Sequence, residues 1–258
     1  MNIKICCPSY KRPSVKTLKY LPFCRVFVAQ EEFEKYKTAN PAADIIACPA
    51  GVQGNLCRVR NYILRSEFAS GADVVAILDD DYSGVFYFES GKQVFPVKSE
   101  DFITFVEKYS ILAREWGARF WGINVNPDPQ CFRENVPFST ISYIGGPFQV
   151  FLKGNECFYD ERLPLKEDYD MTLQQINRYR IALRINKFFY KVKQAEQEGG
   201  CAIYRNLAME RTQFELLQKK WGSQIVRPDN QDRSHKGKKK HGIAFDFNPV
   251  IYVPIRGL

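Results

Sequence analysis

The chain has 258 residues, 45% apolar and 14% aromatic, which allows one sizeable core and excludes a disordered or fibrous protein. Its net charge of +8 is uneven: residues 178–240 hold 16 lysines and arginines against 6 aspartates and glutamates. That basic C-terminal third points to a polyanionic partner or a phosphate-rich ligand, with a solvated lysine surface as the plainer alternative. Nothing in residues 1–8 reads as a secretory leader, and the aliphatic run 74–78 is far shorter than the roughly 20 residues that span a bilayer. Eight cysteines lie scattered without a CxxC pair, as expected of reduced core residues in a cytoplasmic protein without a membrane span.

Short β-branched runs alternate with segments of helical period, the pattern of an α/β fold in a single domain over residues 1–258. Strands are predicted at 3–6, 26–29, 45–48, 74–78, 120–125 and 148–152. Helices are predicted at 55–70, 99–116 with Ser99 as N-cap, 170–183 and 205–221. Residues 85–97 read as a hairpin turning at Ser90 and Gly91. The polar, lysine-rich stretch 229–242 reads as a loop able to act as a lid, because strand-like residues follow at 243–247 and 251–254.

The chemistry-bearing motifs come in the same order. After the first strand, Cys7-Pro8-Ser9-Tyr10-Lys11-Arg12-Pro13 offers Tyr10 to stack on a base, Ser9 to hydrogen-bond and Arg12 to meet a phosphate. Residues 51–65 begin with glycine and continue as a helix bearing Arg58, Arg60 and Asn61, side chains suited to a nucleotide or to a solvated face. The strongest signal is the buried strand that ends in Asp79, Asp80 and Asp81. Carboxylates clustered at a strand's C-terminal end repel unless a cation neutralises them, and hard oxygen ligands with a phosphate partner select Mg²⁺ or Mn²⁺. Glu167, Asp168 and Asp170 form an acidic cluster just before an amphipathic helix, either as capping acids or as a carboxylate that takes a proton from an acceptor hydroxyl. Both histidines flank His235-Lys236-Gly237-Lys238-Lys239-Lys240-His241, where an imidazole could join the metal shell and lysines hold phosphates.

Taken in order, the Pro-Ser-Tyr loop, the Asp79–Asp81 motif, Gly145-Gly146-Pro147, Glu167-Asp168 and a late histidine resemble the GT-A class of glycosyltransferases. The resemblance implies a Rossmann-like mixed sheet flanked by helices, with residues 1–125 as the nucleotide-sugar half and 126–258 as the acceptor half. It implies a nucleotide-sugar donor, most simply a UDP-sugar, gripped by Pro8, Ser9, Tyr10, Arg12, Arg58, Asn61, Asp79 and Lys238. The metal would lie on Asp81 or Asp80 with His235. Asp168 would be the base and Glu167 its support, with Gly145, Gly146 and Asp170 at the acceptor, so that transfer inverts the sugar carbon. The Glu-Asp-Tyr-Asp form and the basic third also look like the phage-type DNA glycosyltransferases associated with base-oxidising dioxygenases, which glycosylate hydroxymethylpyrimidines. A phage-encoded member would act in the host cytoplasm, with Lys236, Lys239 and Lys240 on DNA phosphates and the target base out of the stack. The rival readings are a saccharide or protein acceptor, a haloacid-dehalogenase-type phosphatase built on Asp79-Asp80-Asp81-Tyr82-Ser83, and a non-catalytic nucleic-acid binder.

Overall fold

The computed structural model describes residues 1–89, 93–129, 132–192, 205–228 and 247–253. In chain order they form β1 (Ile3–Pro8), α1 (Thr17–Tyr20), β2 (Arg25–Ala29), α2 (Phe33–Ala39), β3 (Asp44–Cys48), α3 (Leu56–Ala69), β4 (Val74–Leu78), β5 (Tyr82–Phe88) and β6 (Val94–Pro96). There follow α4 (Phe102–Glu115), β7 (Phe120–Asn124), β8 (Phe138–Ser139), β9 (Phe148–Leu152), α5 (Glu167–Tyr179), β10 (Leu183–Val192), α6 (Leu207–Trp221), β11 (Val226–Pro228) and β12 (Pro249–Ile251). All six strands expected from apolar runs are present.

One sheet takes the order β3-β2-β1-β4-β9-β7-β10-β5-β6, with β8 on β10. Strands β1 to β4 run parallel; β9 is antiparallel to both β4 and β7, and β10 is parallel to β7 and antiparallel to β5. The chain therefore moves outward from β1 to β3 and returns to β4 on β1's other side. That reversal opens a crevice at the C-terminal ends of β1 and β4. Residues before and after 125 share this sheet, because β9 inserts between β4 and β7 and β10 between β7 and β5.

Every residue of β4 is buried, since both faces of the sheet are covered. Val74, Ala76 and Leu78 join one core with Ile5, Val26 and the α4 side chains Phe102, Phe105 and Val106. Val75 and Ile77 join another with Cys6, Phe27, the α3 residues Val59, Ile63 and Leu64, and Met171 and Ile176 of α5. Helix α6 adds a smaller cluster outside α5, where Phe214 and Leu217 meet Leu163 and Leu173. The six described cysteines are buried and free of disulfides. Among the described residues no helix is long and apolar enough to cross a membrane.

Four local expectations change. Residues 99–101 form a 3-10 turn before α4 rather than an N-cap with its first α-helical turn, and neither start carries a side-chain cap bond. Helix α3 begins one residue later than expected, with Asn55 as its cap, accepting from the amide of Arg58 at 3.3 Å. Helix α5 starts three residues early, at Glu167, which brings Glu167, Asp168 and Asp170 into its first turn. It also ends early: Arg180 turns left-handed with φ 65°, and the chain enters β10, a ten-residue strand that the expected helix 170–183 overlapped. The 85–97 hairpin is present as antiparallel β5 and β6, with β5 beginning sooner, at Tyr82; its turn at Ser90 and Gly91 lies outside the described residues, as do residues 243–246 of the expected late strand.

Candidate active site

Because β1 and β4 are parallel neighbours, the loop after Pro8 and the three aspartates after Leu78 emerge side by side. The loop is fastened to the acids directly. Ser9 Oγ donates to Asp80 Oδ2 at 2.7 Å and Arg12 Nη1 to Asp80 Oδ1 at 2.9 Å. The Asp80 carbonyl accepts from the amides of Lys16 and Thr17, and the Asp79 carbonyl from Thr17 Oγ1 at 2.6 Å. Asp80 is buried with both carboxylate oxygens occupied; burial pushes its pKa up, against the pull of Arg12 and Ser9. Asp81 differs. It is only 9% exposed, its carboxylate takes no hydrogen bond from another described residue, and burial followed by the charges of Asp79 and Asp80 pushes its pKa up to about 7.

Arg60, on α3, joins this strand end to the second acidic motif. It is 1% exposed and donates to Asp79 Oδ1 at 2.7 Å, Glu167 Oε1 at 3.2 Å and the Gly146 carbonyl at 3.1 Å. Its Nε is buried without a hydrogen-bond partner, and its guanidinium carbon lies 5.5 Å from the centroid of the Tyr159 ring. The approach at Gly146 is tight: a Cβ there would sit 3.3 Å from both Arg60 Nη1 and Glu167 Oε1. At Gly145 a Cβ would lie 2.3 Å from Tyr190 Oη, tighter than side chains tolerate. Glu167 is buried, and its pKa is pushed up to about 8, first by burial and then by the charge of Asp168, which together outweigh Arg60.

Asp168 is half-buried and well held. Its Oδ2 accepts from the Tyr143 hydroxyl and from the Gly146 amide at 3.1 Å, and its Oδ1 from the Tyr169 amide at 2.8 Å. Tyr143 stacks on Tyr169 with ring centroids 4.2 Å apart. A carboxylate has about four lone-pair positions, so the group retains room for one more donor. Helix α5 is oriented from below by Lys166, whose Nζ donates to Glu210 Oε2 at 2.6 Å on α6.

Not every expected residue faces this centre. Asp170, expected at the acceptor, is fully buried and accepts from Gln174 and Lys220 through Oδ2 and from Trp221 Nε1 through Oδ1, so it ties α5 to α6 instead. Asn61, expected at the nucleotide, is buried in a two-way clasp with the Tyr159 backbone, at 2.9 and 2.8 Å. Arg58 remains on the surface, paired with Glu161 and the Gly51 carbonyl. Pro8 closes β1, and Tyr10 is half-buried beside Lys11, whose Nζ stands 5.1 Å from its ring centroid. His235, His241, Lys236, Lys238, Lys239 and Lys240 lie outside the described residues. Tyr143, Tyr159 and Tyr190 were given no site role in the sequence, and Arg60, read there as suited to a nucleotide or to a solvated face, bridges the two acidic motifs instead. The three tyrosines carry no local signal of such a role.

A family model of TET-associated glycosyltransferases matches residues 23–200, more than half of the chain. The chain belongs to that family. It is a glycosyltransferase, built on a mixed parallel and antiparallel sheet between helices. A protein of Desulfovibrio desulfuricans G20 described as a nucleotide-diphospho-sugar transferase superposes with a TM-score of 0.45 at 12% identity, covering 84% of this chain and 97% of its own. Protein A197 from STIV gives 0.40 at 12% identity, over 76% and 88%. No curated protein sequence matches the chain. Family membership rests on the sequence match, which takes in both acidic motifs and the glycine pair between them.

Proposed function

We propose that this glycosyltransferase moves a sugar from a nucleotide-sugar, a UDP-sugar in the simplest case, to the hydroxyl of a hydroxymethylpyrimidine in DNA, with inversion and with Mn²⁺ or Mg²⁺ at Asp81. The observation that carries the reading is the Arg60 bridge: one buried guanidinium bonds both Asp79 and Glu167, so the two acidic motifs share one centre. Ser9, Tyr10 and Arg12 border the same crevice at the end of β1, where an α/β sheet offers a nucleotide its natural seat.

The residues present suit a hard divalent cation. Asp80 has both oxygens engaged by Ser9 and Arg12, whereas Asp81 has no such partner and bears the repulsion of two neighbouring acids, which favours Asp81 as the ligand. Among the described residues no group of three or more acids, histidines or cysteines is placed to hold a metal ion, so other ligands would come from the diphosphate, from water or from His235. When bound, the cation supplies charge to the departing diphosphate.

Asp168 takes the acceptor hydroxyl proton as that oxygen bonds to the anomeric carbon, while the bond to the diphosphate oxygen breaks and its electron pair leaves with the nucleotide. Tyr143 and the Gly146 amide fix the carboxylate from behind. Glu167, protonated over much of the neutral range, can donate a hydrogen bond to the acceptor. Support for DNA comes from the family's association with TET and from the basic C-terminal third, with Lys236, Lys238, Lys239 and Lys240 suited to phosphates. The acceptor base would leave the stack to reach Asp168.

The first test is a thermal-shift series with UDP, GDP, CDP and ADP, with and without Mn²⁺, because a ligand that prefers the folded chain raises its melting temperature. We expect at least one nucleotide to stabilise the wild type in a Mn²⁺-dependent way and Asp81→Asn to lose that dependence. Wild-type Mn²⁺ dependence in the variant would refute the assignment of Asp81.

A further inference from the structure

The loop that follows β1 holds one residue in an unfavourable backbone conformation. Lys11 has φ 57°, a left-handed turn that a side-chain-bearing residue adopts only when its surroundings impose it. Those surroundings come from α2 and its two ends. Glu32 Oε2 accepts from the Lys11 amide at 3.0 Å, Asn40 Nδ2 donates to the Pro13 carbonyl at 2.7 Å, and the Tyr36 hydroxyl lies between them beneath the loop. Tyr36 is 0% exposed, and its oxygen makes two contacts of 2.9 Å, with the Arg12 amide and with Ser9 Oγ.

The direction of these bonds follows from counting protons. The Arg12 amide can only donate, so Tyr36 accepts there and its single proton remains for Ser9. Ser9 in turn gives its proton to Asp80 Oδ2 at 2.7 Å, its other approach, to the Arg12 carbonyl, being a long 3.5 Å. A chain that starts at a pure donor and ends at a carboxylate has one consistent order, and each bond polarises the next. Family membership is carried by residues 23–200, so it says nothing about the loop itself.

We infer that Tyr36 is a positioning residue for donor binding: through the chain Arg12 amide to Tyr36 to Ser9 to Asp80 it holds the 9–12 loop, left-handed Lys11 included, in its ligand-ready form before any nucleotide arrives. The inference rests on the reading of this crevice as the donor site. Preorganisation of this kind acts on affinity, since an unfastened loop must be ordered again at the moment of binding.

The test is calorimetric titration of UDP, GDP, CDP and ADP in the presence of Mn²⁺, well below the melting temperature so that only folded protein is measured. Tyr36→Phe keeps the ring and removes the relay. The nucleotide preferred by the wild type should bind Tyr36→Phe roughly 5- to 20-fold more weakly, the scale of one lost hydrogen bond in a network. Glu32→Ala, which releases Lys11 from the surface side without opening the core, should weaken binding in the same direction by a few-fold, and it decides the matter if Tyr36→Phe fails to fold. An unchanged dissociation constant in a folded Tyr36→Phe with a lowered melting temperature would make Tyr36 a packing residue only and overturn the inference. Absence of binding by the wild type to all four nucleotides would instead remove the donor reading itself, and the inference with it.

Discussion

Asp80 and Asp81 are consecutive residues at the end of one strand, yet the protein treats them oppositely, and the same opposition divides the site as a whole. On the β1 side, Asp80 is answered inside the chain by Ser9 and Arg12, and the loop around it is braced by α2. Among the described residues Asp81 lacks such partners, and Glu167 shares the Arg60 guanidinium with Asp79; burial and neighbouring charge push both up into the neutral range. Carboxylates that fold-internal donors satisfy are scaffold; those left costly by burial are where a cation, a proton or a substrate is wanted. Arg60 is the junction between the two kinds, bound to half-exposed Asp79 on one side and buried Glu167 on the other.

Breaking that junction should have the largest effect. Arg60→Met leaves Glu167 and Asp79 without their shared cation, and loss of one member of a buried charge group typically costs about 3 kcal/mol or more. Part of that cost will be relieved, because Asp79 is 32% exposed and reaches solvent and Glu167 can protonate. Chemical denaturation should therefore show a loss on the order of 2–3 kcal/mol at about pH 9, where Glu167 is charged, diminishing as pH falls below about 8 and Glu167 takes up a proton. A loss that is absent, or that is constant with pH, would mean the bridge is not electrostatically coupled to Glu167.

A smaller effect isolates Glu167 alone. Its folded pKa is raised above the ordinary value of 4.5, to about 8, so between those limits the folded state holds a proton that the unfolded state has released. Stability should accordingly fall as pH rises from about 4.5 to about 8 and level off above that. Glu167→Gln, which keeps the shape without the titration, should flatten this part of the melting-temperature profile by several degrees. An identical profile in the variant would place the titration elsewhere.

The two sides were also unequally legible in the sequence. The strands at whose ends Ser9 and the three aspartates stand, β1 and β4, are short apolar runs with turn residues after them, and three aspartates in a row announce themselves locally. Around the second acidic motif the decisive contacts are distant: Arg60 and Glu167 are 107 positions apart, and no periodicity relates them. Helix α5 starts early at Glu167, where Lys166 is held by Glu210, 44 residues further on. Strand β10 was hidden because a left-handed Arg180, not a glycine, separates it from α5. Asp170 and Asn61 carry the right chemistry for a ligand but are used for helix packing and a backbone clasp, a choice that only the tertiary structure makes. Tyr36 and Tyr143 are ordinary core-like tyrosines until their hydroxyl partners are seen.

The proposed function requires that the carboxylates joined through Arg60 belong to one centre that transfers a sugar to DNA, with Asp168 as its base. The most direct measurement is the intact mass of a double-stranded oligonucleotide containing 5-hydroxymethylcytosine after single-turnover incubation with UDP-glucose and Mn²⁺, run in parallel for the wild type and for Asp168→Asn. The account predicts addition of one hexose by the wild type, none on an unmodified oligonucleotide, and a rate lower by roughly 10²-fold or more for Asp168→Asn, the scale of a lost general base, in a variant that still binds nucleotide. Transfer by Asp168→Asn at the wild-type rate would contradict the claim at its core.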